Sequence, residues 1–264
     1  SDGMYFDISK YSKYGQLSGN ITEQLKAGAR IEVNPEKKNP ADFALWKFSP
    51  KNEKRQMEWD SPWGKGFPGW NIECSAMSMK YLGETFDIHA GGQDLQFPHH
   101  ENEIAQSEGS TGKQFAKYWI HSEFLKIDDV TMSKSKGNFF TFRDLREQGY
   151  SALAIRYLLL SVPTRKQLNF TFEGLQGAES TVERVRNFRQ LVAEGGNPSG
   201  SEGASPDVSL YTKTALEKFE AAMDDDFNTA AALAAIHDLV REINTKLAAD
   251  GVTATERDAI LDAI

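Results

Sequence analysis

Apolar residues at Leu175, Ala178, Val182, Val185, Phe188 and Val192 recur at spacings of three and four, which predicts a long amphipathic helix. Just upstream, Ala152, Ile155, Tyr157, Leu158 and Leu159 leave little polar face before Val162-Pro163, so a well-buried helix is expected there. Leu216, Phe219 and Met223 mark another helix, broken by Asp224-Asp225-Asp226-Phe227-Asn228. Leu233, Ile236, Leu239, Val240, Ile243 and Leu247 mark the next, ended by Gly251. Residues 194–207 read as a flexible loop by composition. The first half has a shorter period. Met4–Ile8 and Ala29–Val33 read as extended, with turn signals at Ser18-Gly19-Asn20 and Asn34-Pro35. Ser61–Gly69 is a Gly/Pro-rich loop leading through a short strand to a helix beginning near Ser75. Phe86–His89 reads as a strand with Ala90-Gly91-Gly92 as the loop at its end, and Lys117–His121 as a further strand. Leu125–Ile127, Asp128-Asp129 and Val130–Met132 read as a hairpin. No internal repeat is seen, and the chain divides into an α/β part followed by a helical part.

At 264 residues the chain is long enough for one sizeable core or two modest ones. An apolar fraction of 39% with 26% charge describes an ordinary soluble protein. A single cysteine excludes a disulfide scaffold and fits a reducing cytoplasm. No apolar run approaches the ~18 residues that span a bilayer, so no membrane partner is expected. Nor is a signal peptide seen. The net charge of −8 argues against non-specific nucleic-acid binding, so a nucleic-acid surface needs a local basic patch. Arg156, Arg165, Lys166, Arg184, Arg186 and Arg189 are candidates, and each reads equally well as part of a solvated helix face.

Two segments carry candidate chemistry. Thr131-Met132-Ser133-Lys134-Ser135-Lys136-Gly137-Asn138 brings a compact cation, hydroxyls and flexible backbone together, which suits a phosphate chain. A solvated Lys/Ser loop is the plainer alternative. In Phe97-Pro98-His99-His100-Glu101-Asn102-Glu103, Pro98 fits the first turn of a helix, and His99 and Glu103 share a face four residues apart. With Cys74 they form an N/O/S set suited to zinc with one position open. Cys74 alone reads more readily as a buried inert cysteine. Gly91 and Gly92 sit where ligands meet open α/β sheets, outside strand carboxyl ends, and Asp94 just beyond can accept from ribose hydroxyls; a plain turn is the equal alternative for the Gly-Gly pair.

Gly69–Met77, Phe86–Leu95, Phe97–Gln106 and Met132–Phe139, with Asp42–Lys47, together resemble cysteinyl-tRNA synthetase, a class I aminoacyl-tRNA synthetase family, in order and spacing over nearly the whole chain. The resemblance implies an α/β fold: the second half of a Rossmann-type class I synthetase catalytic domain, followed by an α-helical bundle domain. It divides the chain into the tail of an inserted connective domain (1–60), a catalytic segment with zinc site and Met-Ser-Lys-Ser loop (61–140), and a helical stem with the start of a tRNA-binding domain (141–264). It implies an internal piece of a longer protein, without the first nucleotide-binding motif and the first zinc cysteine. Weak zinc binding and little tRNA charging by the isolated chain are the matching expectations. The implied activity is ATP-dependent activation of cysteine and its transfer to tRNA(Cys), in the cytoplasm, by a monomer. The implied partners are tRNA(Cys), L-cysteine and ATP with Mg2+, and the implied cofactor is one Zn2+ held by Cys74, His99 and Glu103. Trp70 and His89 would enclose the substrate cysteine. Gly91, Gly92, Asp94, Met132, Ser133, Lys134 and Ser135 would bind ATP, with Lys134 catalytic. Thr131 stands where the family has Lys, and Ala90 where it has Gly. Competing readings are a ligase joining cysteine to an amino sugar, a non-catalytic zinc- or tRNA-binding fragment, and a zinc hydrolase. The last lacks a general base and leaves the Lys134 loop unexplained.

Overall fold

The computed structural model describes residues 2–19, 37–50, 52, 55–194, 206–249 and 251–264. The expected strand at 29–33, the turn at 34–35 and most of the 194–207 loop lie outside the described residues. The chain forms two compact units, Ser1–Ser122 and Glu123–Ile264.

The first unit opens with an antiparallel sheet of β1 (Gly3–Phe6), β2 (Phe43–Phe48) and β3 (Gly66–Pro68) in that order. Gly69 packs so close to β2 that a Cβ there would lie 2.0 Å from the Ala44 carbonyl oxygen. From this contact the chain enters α1 (Trp70–Leu82) directly. The helix thus starts five residues before the expected Ser75, and Cys74 lies inside it. β4 (Phe86–Gly92) and β5 (Ala116–Ser122) are parallel neighbours. They are joined through the turn α2 (Gln93–Leu95), a helical turn over Gln96–His100 and α3 (Glu101–Thr111). This is a βαβ crossover, the unit that parallel pairing requires. Ala90, Gly91 and Gly92 are the last rungs of β4, paired with Ile120, His121 and Ser122, and not the loop that was expected. The ladder to β5 holds them extended. Phe86, Phe115 and Ala116 form the apolar core under this sheet. Polar contacts join α1 to α3: Gln106 and Ser107 both donate to the buried Ser75 hydroxyl, at 2.5 and 2.8 Å.

In the second unit β6 (Leu125–Ile127) pairs antiparallel with β7 (Val130–Thr131) and parallel with β8 (Leu168–Phe170). The expected hairpin forms with Asp128 and Asp129 both at positive φ, 48° and 63°, as a tight turn of the primed type requires. α4 (Phe142–Glu147) and α5 (Ala152–Leu160) follow, with α6 (Phe172–Ala193) beyond β8. Ile127, Leu145, Ile155, Leu158, Phe170 and Leu175 make one core. α5 is one-sided and not well buried. Ala154, Ile155 and Leu158 face the core, while Leu153, Leu159 and Leu160 are exposed. α7 (Pro206–Asp224), α8 (Thr229–Ala249) and α9 (Ala254–Asp262) pack with the end of α6 around Phe188, Val192, Val208, Leu239, Ile243 and Ile260. α7 contributes Val208 and the small Ala215 to this core and leaves Leu216 outside.

Candidate functional site

The polar centre of the first unit is Glu103, fully buried on α3 one turn after His99. Its Oε1 lies 2.7 Å from His99 Nε2 and its Oε2 lies 3.1 Å from His89 Nε2. Among the described residues no N–H or O–H donates to either oxygen with hydrogen-bond geometry. A buried carboxylate without donors is costly, and a cation between the facing atoms removes that cost. Cys74 on α1 completes the approach: its Sγ, a His99 nitrogen and a Glu103 oxygen all lie within 4.8 Å of one another. Sulfur, imidazole and carboxylate donors at this spacing fit zinc. His89, His100 and Glu103 form an overlapping group of the same dimension.

The elements explain the convergence. α1 carries Cys74, the helical turn over Gln96–His100 carries His99 and α3 carries Glu103, while β4 and β5 deliver His89 and His121 beside them. The imidazoles lie in an aromatic box. Trp70 stacks on His99 at 4.2 Å between centroids, and Trp119 lies 4.6 Å from His89 and 5.1 Å from His100. His100 Nδ1 meets His121 Nε2 at 2.8 Å. Burial, reinforced by the charges of His89, His121 and His99, depresses the His100 pKa to about 3. Burial likewise lowers His89 and His121. Neutral imidazoles are therefore favoured at His89, His100 and His121. The Cys74 thiol is pushed up to about 11 by burial and then by the Glu103 charge.

His99 Nδ1 lies 2.8 Å from Asn71 Oδ1, and both residues are buried. Two residues past His99, Glu101 takes the opposite role to Glu103. Its carboxylate accepts the backbone N–H groups of Gly15, Leu17 and Ser18 at 2.8, 3.1 and 2.9 Å. Asn71, His100, Glu101 and His121 did not stand out in the sequence. The one local signal was the His99-His100 doublet following Trp70-Asn71 at a distance.

Of the other residues singled out, Trp70 is 62% exposed, so one face covers His99 and the other is open. Gly91 admits no side chain: a Cβ would lie 2.6 Å from His100 Cε1. At Gly92 a Cβ would meet only the end of the Asp94 side chain, at 2.5 Å, and Asp94 is exposed and can swing aside. In the second unit Lys134 begins the single turn Lys134–Lys136, closed by Gly137 at φ 70°. Its amine lies 5.3 Å from the Phe139 ring centre. Ser133 and Ser135 hydroxyls are 3.2 Å apart, and Asn138 pins the loop by accepting from the Ser133 N–H at 2.9 Å. Met132 packs on the core beneath. The six candidate basic residues are exposed, and Arg165 is engaged by Asp226. Arg184 lines a groove of about 970 Å3 with Asn187, His237 and Arg241, where His237 Nε2 meets the Tyr157 hydroxyl at 2.7 Å. No helix among the described residues is long and apolar enough to cross a membrane.

The family model for the class I (C) tRNA synthetase catalytic domain matches residues 1–180, and that for the DALR domain matches residues 218–263. A cysteine–tRNA ligase of Koribacter versatilis is 50% identical over 261 residues, which cover 98% of this chain and 52% of that protein. One from Carboxydothermus hydrogenoformans is 49% identical over 261 residues, covering 99% and 55%. The chain spans about half the length of the curated relatives it matches. Among solved structures, the LeuRS of Agrobacterium radiobacter K84, in a ternary complex with tRNA and LeuAMS, shares the fold with a TM-score of 0.59 at 18% identity. That likeness covers 78% of this chain and 31% of the LeuRS chain. The chain belongs to the class I tRNA synthetase family defined by the class I (C) catalytic domain.

Proposed function

We propose that this chain supplies the amino-acid-sensing and pyrophosphate-handling parts of a cysteine–tRNA ligase. The observation that carries the reading is the buried Glu103 carboxylate facing His99 and Cys74, with no N–H or O–H donor among the described residues, in a chain about half of whose residues match cysteine–tRNA ligases. Cysteine and serine differ by one atom, and pocket shape separates near-isosteres poorly. Zinc held by Cys74, His99 and Glu103 would supply a centre that favours a thiolate over an alcohol. Trp70 then walls the amino-acid side of that centre and His89 closes it from β4. Gly91 and Gly92 allow close approach at the end of the strand, and Asp94 accepts from the ribose of ATP.

The reaction joins the cysteine carboxylate to the α-phosphorus of ATP. The bond to the β-phosphate breaks, and pyrophosphate leaves with Mg2+. The tRNA(Cys) terminal hydroxyl then attacks the activated carbonyl and AMP leaves. In this scheme Lys134 neutralises charge developing on the pyrophosphate, and the Met132, Ser133 and Ser135 segment binds the phosphates. Catalysis of this kind rests on positioning and charge. With Thr131 in the loop, Lys136 is the remaining additional cation. The helices from 141 onward, with the DALR match over 218–263, are assigned to tRNA. That match favours tRNA over an amino sugar as the acceptor. A functional division at residues 60 and 140, a monomeric state and a cytoplasmic location belong to the same proposal.

The test is cysteine-dependent ATP–pyrophosphate exchange in the whole enzyme to which the chain is assigned. Lys134→Ala should lower the exchange by about 100-fold or more, the scale of removing one preorganised charge-stabilising group. Exchange that is unchanged removes the loop from the chemistry.

A further inference from the structure

We propose that Asn71 is a positioning residue for the metal centre: it fixes which nitrogen of His99 carries the proton. The inference rests on the reading of Cys74, His99 and Glu103 as a metal set. The Asn71 oxygen only accepts hydrogen bonds, and it lies 2.8 Å from His99 Nδ1. Nδ1 therefore carries the hydrogen. In the neutral ring Nε2 is then a bare lone pair, and it faces Glu103 Oε1 at 2.7 Å. Two acceptors at that distance need a cation near both, which explains why the contact lacks hydrogen-bond geometry. The opposite tautomer would place a proton on Nε2. It would block the ring as a ligand.

The neighbouring residue completes the hold. Trp70 stacks on the flat of the His99 ring at 4.2 Å, while Asn71 grips its edge. Both come from the first turn of α1, the helix that also carries Cys74. One turn of helix thus sets the plane, the rotation and the tautomer of His99. A partner on the far nitrogen orients ligating histidines in general, and removing it typically weakens metal binding 10- to 100-fold.

Zinc affinity by competition with a chromophoric chelator, together with 15N NMR of the His99 ring in the metal-free chain, tests the assignment. Asn71→Asp keeps an acceptor and should bind zinc at least as tightly as the unaltered chain, with Nδ1–H retained. Asn71→Leu should bind about 10- to 100-fold more weakly, and its NMR spectrum should show the proton moved to Nε2. Far-ultraviolet circular dichroism checks that each variant is folded. If Asn71→Leu binds zinc like the unaltered chain while His99→Ala binds weakly, the proposal fails and the metal site stands. If the unaltered chain and His99→Ala are alike in binding no zinc, the metal site fails and the proposal with it.

Discussion

Two carboxylates two residues apart on α3 behave in opposite ways. Glu101 accepts three backbone N–H groups from the 15–18 segment, whereas Glu103 faces the His89 and His99 rings and the Cys74 thiol. Glu101→Gln replaces one acceptor oxygen with a donor against those N–H groups. It should destabilise the first unit by about 1–3 kcal/mol, the cost of an unsatisfied buried polar group. Urea unfolding followed by circular dichroism reads this, and a loss under about 0.5 kcal/mol, the scale of a surface substitution, would show that the clamp is not structural. Gly91→Ala forces a Cβ against His100, and should cost about 1–3 kcal/mol as overpacking does. An unchanged melting midpoint would count against the tight contact. The pairing of His99 with Glu103 was legible in the sequence as an i, i+4 spacing, and the approach of Cys74 to them only once the three were taken together. Asn71 and Glu101 were not, because their partners lie 28 and more than 80 residues away.

Helices are legible where the three-and-four spacing is sustained over several turns. α6 and α8 appear where the spacing put them, with Leu175, Ala178, Phe188, Leu239 and Ile243 buried. Ile243 is fully buried among Phe188, Leu239 and Ile260. Ile243→Ala should therefore cost about 2–5 kcal/mol in thermal or urea unfolding. A cost near zero would place this helix outside the core. Starts and exposures were harder. α1 begins early because Gly69 lies against β2, a contact no local pattern encodes. α5 reads as apolar on most sides, yet only one side meets the core.

The join between α5 and α6 also makes a pH prediction. Glu179 on α6 accepts the Ser151 N–H at 2.9 Å, and that bond holds its carboxyl below the usual range. A lowered folded pKa means the contribution is present above the unfolded pKa and fades as pH falls through the folded one. The stability gap between the unaltered chain and Glu179→Gln should thus be open at pH 7 and closed in acid, below the ordinary carboxylate range. A gap that is the same at both pH values would contradict it.

At the scale of the molecule, the family was legible because several blocks occur together in order, and the matches over 1–180 and 218–263 agree with it. The partition into Ser1–Ser122 and Glu123–Ile264 was not legible, since it depends on which contacts close on themselves. The candidate metal ligands all fall in the first of these units, and Lys134 falls in the second. The central claim concerns the first: Cys74, His99 and Glu103 hold a metal that recognises a thiol. Cobalt(II) titration followed by optical absorption tests it most directly. One cobalt per chain is expected, with a sulfur-to-cobalt band that is lost in Cys74→Ser and a stronger band when L-cysteine is added but not L-serine. No specific cobalt binding, or the same spectrum with cysteine and with serine, would contradict it.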